Sequence, residues 1–183
     1  MREPVTAERL QEFMKALAGA AKAVGRVYLV GGATSVLLGW RSSTIDVDLK
    51  FVPESDEVLR SLPALKERLQ INIELASPGD FIPELPGWQE RSRFVQQEGK
   101  LSFYHYDFYA QALAKIERGH SKDLQDVHEL LANGLVEPER LLNFFSDIED
   151  KIYKYPDLNA QSFRRAVERV VEQAKPEPDQ EIQ

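Results

Sequence analysis

Val27-Tyr28-Leu29-Val30-Gly31-Gly32-Ala33, followed by Thr44-Ile45-Asp46-Val47-Asp48-Leu49-Lys50-Phe51, is the stretch from which the fold can be read. The first segment reads as a short buried strand running into two glycines. Ala33 to Leu38 then reads as a short helix ended by Gly39. In the second segment Ile45, Val47, Leu49 and Phe51 face one way while Asp46, Asp48 and Lys50 face the other. That alternation is the period of a strand with one buried face. Pro53 ends it.

Upstream, Leu10, Phe13, Met14, Leu17, Ala18 and Ala21 recur at spacings of three and four, so the spacing predicts a helix with one apolar face. Thr6 is its candidate N-cap and Gly25 its stop. Downstream, a helix over Asp56 to Arg68 leads to a third strand, Ile71 to Leu75, in which Asn72 and Glu74 point away from Ile71, Ile73 and Leu75. Residues 76 to 100 are punctuated by Pro78, Gly79, Pro83, Pro86, Gly87 and Gly99. Short strands are expected around Arg93 to Val95 and at Leu101 to Tyr104. From Asp107 the pattern is helical over 107–118, 121–132, 138–154 and 160–174, broken by Gly119, Asn133-Gly134 with Pro138, and Pro156.

Strands first and helices after predict an α/β (α+β) fold: a mixed sheet flanked by helices, with a helical C-terminal half. The expected division is a core over 1–105, a helical region packed on it over 106–174, and a disordered tail over 175–183, where two prolines and three acids fall together.

The chain has 183 residues, of which 43% are hydrophobic and 29% charged, enough to bury a core without disulfides. It contains no cysteine, which removes thiolate metal sites and cysteine nucleophiles and fits a reducing compartment. A net charge of −7 argues against binding long nucleic acid, which is driven by basic surface. No stretch is long enough to span a bilayer. Met1-Arg2-Glu3-Pro4 leads directly into an amphipathic helix with no signal-peptide pattern, so a cytoplasmic location is expected.

Asp46 and Asp48 carry the first chemical signal. Residues two apart on a strand lie about 6.5–7 Å apart on one face. Two carboxylates so placed converge on a hard cation or, more blandly, form an exposed acidic pair. Like charges repel and raise each other's pKa unless a cation intervenes, and Mg²⁺ takes a few carboxylates together with phosphates and water. Gly31-Gly32, between a strand and a helix, allows a phosphate to approach the main chain; the alternative is a plain turn. Thr34 or Ser35 would add a hydroxyl ligand to phosphate, or cap the helix. Glu74 joins the aspartates if its strand neighbours theirs; otherwise it is a solvent-facing acid. His105, His120 and His128 show no zinc-ligand spacing and read as structural or surface residues.

A strand, Gly-Gly, a short helix, a polar loop of Arg41-Ser42-Ser43-Thr44, Asp-x-Asp and an acid on the next strand together resemble the nucleotidyltransferase superfamily. The likeness is to the branch with V-G-G-A and [ST]-x-D-[IV]-D-[LIV], here Val30 to Ala33 and Thr44 to Leu49. Tail-adding tRNA nucleotidyltransferases and AbiEii-type abortive-infection toxins share that arrangement. Lys115, Arg118, Lys122, Asp123 and Asp126 are similar to the AbiEii-type K-x-x-R-x-x-x-K-D-x-x-D element, and Pro78 to Pro83 looks like small bacterial relatives. The likeness spans about residues 27 to 132.

The resemblance implies an Mg²⁺ (or Mn²⁺) ion on Asp46, Asp48 and Glu74. It implies an NTP near Gly31, Gly32, Thr34, Arg41, Ser43, Thr44 and Asp123, and Lys115 as the cation in the cleft. Lys115 also reads as an ordinary helix lysine, with Asp123 and Asp126 holding it and Arg118 in place. The implied reaction moves a nucleotidyl group to a protein, tRNA or small-molecule acceptor, and a cognate antitoxin is a further implied partner. One departure stands out: the helix after Gly-Gly, Thr34-Ser35-Val36-Leu37-Leu38, lacks the Arg-Asp pair of many transferases. This favours a catalytically silent binding module more than the usual pattern would.

Overall fold

A computed structural model describes residues 3–175; of the tail expected over 175–183, residues 176–183 lie outside the described residues. The chain forms two compact units, Met1–Asp80 with Gly87–Asp107, and Phe81–Pro86 with Phe108–Gln183.

The first unit is a five-stranded mixed sheet in the order β3-β2-β1-β5-β4. Its strands are β1 (Gly25–Val30), β2 (Asp46–Val52), β3 (Asn72–Leu75), β4 (Arg93–Glu98) and β5 (Leu101–His105). β1 runs antiparallel to β2 and parallel to β5, β2 runs parallel to β3, and β4 closes an antiparallel hairpin with β5. Helices α1 (Ala7–Ala20), α2 (Gly32–Leu37) and α3 (Asp56–Leu69) belong to the same unit, with a one-turn helix α4 (Trp88–Arg91) before the hairpin.

Alternation decides which face of β2 is buried. Val47, Leu49 and Phe51 join Val27, Leu29, Ile73, Leu101 and Phe103 in a core closed by Leu10, Phe13, Met14 and Leu17 of α1 and Val58, Leu62 and Leu65 of α3. Fully burying each such side chain contributes about 1.5–3 kcal/mol relative to leaving it exposed. Asp46, Asp48 and Lys50 stay half-buried on the opposite face. Ile45 falls outside this pattern: it precedes the strand and is exposed.

Several boundaries differ from expectation. Thr6 caps α1 as expected, its hydroxyl accepting the Arg9 N–H at 3.4 Å. The helix ends at Ala20, where Ala21 turns to extended backbone, and Gly25 opens β1 instead of stopping α1. The two strands expected near 93–95 and 101–104 prove to be one hairpin turned at Gly99, whose φ of 52° suits a residue without a side chain. The one-turn helix α4 was not foreseen.

The second unit contains α5 (Phe108–Arg118), α6 (Ser121–Ala132), α7 (Pro138–Glu149) and α8 (Ala160–Gln173). The segment expected as one helix over 138–154 breaks after Glu149 and continues as a 3₁₀ turn at Ile152–Lys154. Phe145 and Phe163 meet edge to face at 4.8 Å, and Arg164 of α8 pairs with Glu149 of α7, which ties the last helix down.

Candidate nucleotide site on the β2 face

The pairing of β1 with β2 places Val30 directly opposite Asp48. The chain then turns at Gly31, so the glycine turn and the second aspartate meet in space although seventeen residues apart in the numbering. Gly31 has φ 61° and ψ −125°, a conformation open essentially to glycine alone. A Cβ on Gly31 would stand 3.2 Å from Oδ2 of Asp48. A side chain at Gly31 would therefore crowd the carboxylate, and glycine leaves that space open. Gly32 has a different constraint, because a Cβ there would fall 2.1 Å from Oγ1 of Thr44. Its missing side chain admits the polar loop, and the Thr44 hydroxyl in turn donates to the Asp46 carbonyl at 3.1 Å.

On the other side, β3 lies beside β2 with Asp46 opposite Asn72 and Asp48 opposite Glu74. Cross-strand partners share a face, so Glu74 does stand on the aspartate face. Three acids do not gather, however. Among the described residues no group of three or more His, Cys, Asp and Glu side chains is placed to hold a metal ion. The physical reason is Asn72: its amide donates to Oδ1 of Asp46 at 2.7 Å and to Oε1 of Glu74 at 3.0 Å. An amide thus occupies the space between the two carboxylates, and Glu74 is exposed at the sheet edge. Such a donor set suits Mg²⁺ arriving with a nucleotide, which takes one or two carboxylates plus phosphates and water, rather than an all-protein cage.

The remaining residues expected at the site are dispersed. Thr34 is buried, and its hydroxyl donates to the Leu29 carbonyl at 3.2 Å while lying 3.1 Å from Nδ1 of His105. Burial, with the charge of Arg93, pushes His105 down to about 4, consistent with a neutral ring. The Ser35 hydroxyl donates back to the Gly31 carbonyl at 3.3 Å. Both hydroxyls expected on phosphate are therefore spent inside the turn. Arg41, Ser43 and Thr44 are half-buried in the loop entering β2.

Lys115 lies in the second unit and is buried there. Its ammonium is 2.7 Å from Oδ2 of Asp126 and 3.6 Å from Oδ1 of Asp123. Arg118 donates to both oxygens of Asp123, from Nε at 2.7 Å and from Nη2 at 2.5 Å. Burial opposes ionisation of Asp123, but the Arg118 hydrogen bond and the charges of Lys115, Arg118 and His120 outweigh it and hold the carboxyl below its usual range. Lys115, Arg118, Asp123 and Asp126 of the second motif thus form an ion network joining α5 to α6, and the reading of Asp123 and Asp126 as holders of Lys115 and Arg118 matches these contacts. His120 and His128 are exposed.

Two residues escaped sequence reasoning. Asn72 was visible as the polar neighbour of Glu74, and the alternation that singled out Glu74 would have found it. Trp88 gave no such signal, because α4 is only four residues long. Its ring lies on the aspartate face, stacked on Tyr106 at 4.2 Å and edge-on to Tyr28 at 4.7 Å.

A cleft of about 580 Å³ in the second unit, among α5 to α8, is lined mainly by apolar side chains and contains none of the β2 or β3 acids. Residues 6–175 match the model of a family described as a nucleotidyltransferase of unknown function (DUF6036), and the chain belongs to that family. No curated protein and no solved structure matches it.

Proposed function

We propose that this member of a nucleotidyltransferase family transfers a nucleotidyl group from an NTP to an acceptor hydroxyl on the β2 face. The observation that supports the reading is the nearness of Asp48 to the Gly31 turn, where even a Cβ would stand 3.2 Å from Oδ2. It puts an anionic metal ligand beside a turn that a phosphate can approach closely. Asp46 and Asp48 would hold a nucleotide-borne Mg²⁺, and the Asn72 amide, donating to Asp46, would orient the first of them. The chemistry such an ion supplies when bound is neutralisation of phosphate charge and polarisation of the α-phosphorus. In the transfer, a bond forms between the acceptor oxygen and the α-phosphorus while the bond to the β-phosphate oxygen breaks and pyrophosphate leaves. The acceptor proton passes to a carboxylate on this face, in our reading Glu74, which is exposed and opposite Asp48 on the neighbouring strand.

The test is transfer of labelled NMP from each of the four NTPs with Mg²⁺, comparing the wild-type protein with Asp46→Ala/Asp48→Ala. The wild type should label an acceptor and the double variant should not; equal labelling by both would remove the carboxylates from the chemistry. The likeness of the second motif to AbiEii-type toxins extends the proposal to a toxin–antitoxin or phage-defence setting. Growth arrest on expression, absent in the same double variant, would support that extension.

A second reading has its own observation. The helix after Gly-Gly carries no charge and the acids do not gather into a cage, which favours a module that binds nucleotide without transferring it. Calorimetric titration with NTP and Mg²⁺ beside the transfer assay separates the two, since binding without transfer supports the silent module.

A further inference from the structure

A nucleoside triphosphate brings several negative charges to a face that already carries two aspartates, and one divalent ion leaves the sum negative. A cation on the same face is needed. Lys115, expected in that role, has its ammonium between Asp126 and Asp123 in the helical unit. The β2 strand itself supplies another. Lys50 follows Asp48 by two residues on the same face, half-buried, while Leu49 and Phe51 turn into the core.

The surroundings of Lys50 are built, not incidental. Across the sheet it stands opposite Tyr28, two residues along from the Val30–Asp48 pair that leads into the glycine turn. Its Nζ lies 5.3 Å from the centre of the Trp88 ring, within the range in which an indole face attracts a cation. Trp88 is itself fixed. It is 5% exposed, stacked on Tyr106 with an interplanar angle of 7°, and its carbonyl accepts the Ser92 hydroxyl at 2.8 Å. Ser92 Oγ accepts the Asp107 N–H at 3.0 Å, and the Asp107 carboxylate takes two hydrogen bonds from Arg91, at 3.1 and 2.7 Å. The ring is thus anchored at both ends of α4. A lysine stem ordinarily samples many rotamers; here a rigid aromatic wall holds its ammonium on the carboxylate face.

We infer that Lys50, held by Trp88, binds the polyphosphate of the nucleotide that Asp46 and Asp48 receive. This rests on the nucleotide site proposed above. The one-turn helix α4 then has a function: it presents Trp88 as the surface that positions the phosphate-binding cation.

The test is calorimetric binding to the intact protein, with Mg²⁺ and whichever of ATP, GTP, CTP or UTP binds most tightly, and with the matching nucleoside as a probe that lacks phosphate. Lys50→Met should weaken NTP binding by about tenfold to a hundredfold, the range for losing a charged hydrogen-bond donor. It should leave nucleoside binding within about twofold and the thermal midpoint near that of the wild type, because the side chain is half-exposed. Lys50→Arg, which keeps the charge, should recover most of the affinity. Trp88→Leu should weaken NTP binding less than Lys50→Met does, and should add nothing to it in the double variant. NTP binding by Lys50→Met equal to that of the wild type, while Asp48→Asn loses it, would overturn the role of Lys50 and leave the nucleotide site standing. A wild-type protein that binds none of the four NTPs would overturn both.

Discussion

Replacing Asp126 by leucine is the most direct probe of what Lys115 does. In the folded protein the Lys115 ammonium lies 2.7 Å from Asp126 and 3.6 Å from Asp123, with the three side chains 9%, 4% and 6% exposed, respectively. Removing one partner of a buried pair costs about 3–5 kcal/mol, because the other charge is left in a low-dielectric site. Asp123 stays close but is shared with Arg118, so Asp126→Leu should fall near the lower end, about 3 kcal/mol. For a chain of this size about 1 kcal/mol moves Tm by about 2–4 °C, so a fall of about 6–12 °C is expected. Lys115→Met/Asp126→Leu removes both charges in favour of apolar groups, an exchange that is often neutral or stabilising where the groups pack well. The double variant should therefore regain most of the lost Tm. The assay is thermal unfolding followed by far-UV circular dichroism, with NTP binding measured on the same samples. A double variant no more stable than Asp126→Leu would refute the buried-pair energetics. A double variant with wild-type stability but no NTP binding would refute a purely structural role for Lys115.

Three other outcomes follow from the geometry. Gly31→Ala should lose about 1–3 kcal/mol in urea unfolding from backbone strain, and should also weaken NTP binding because its Cβ would press on Asp48; Gly39→Ala, at φ 83° with nothing within 4 Å, should show the stability loss alone. Asn72→Ala should weaken Mg²⁺-dependent nucleotide binding by about tenfold or more, as loss of an outer partner of a metal ligand commonly does; unchanged affinity would mean that Asp46 needs no such support. His105 has its pKa lowered from 6.5 to about 4 in the folded protein, so the unfolded chain binds the extra proton first on acidification. That contribution is complete above about pH 6.5 and is lost as the pH falls toward 4, at most about 3 kcal/mol. Urea unfolding at pH 7 and pH 4.5 should show a smaller decline for His105→Gln than for the wild type, and equal declines would exclude His105 as the source.

The sequence by itself determined what is local. The period-two alternation of Val47, Leu49 and Phe51 against Asp46, Asp48 and Lys50 is a direct consequence of one buried strand face, so both the strand and the common face of the two aspartates were legible. The helices from residue 108 onward were legible for the same reason, their apolar spacing and the breakers between them being written in consecutive residues. Even Gly31 could be singled out, because a strand that must turn sharply needs a residue free to take a positive φ.

Only the tertiary structure decided which elements meet. The sheet order β3-β2-β1-β5-β4, the register of Asp48 with Glu74, and the hairpin that pairs β4 with β5 join residues far apart in sequence, and no local periodicity specifies a partner. For that reason the acids could be named but not whether the strand of Glu74 neighbours theirs, nor that the Asn72 amide bridges Asp46 and Glu74. The two lysines show the same limit. In sequence Lys115 sits in the motif and Lys50 looks like an ordinary strand lysine, because the charge a lysine presents depends on neighbours that only folding assembles: Asp126 and Asp123 around one, the face of Trp88 beneath the other.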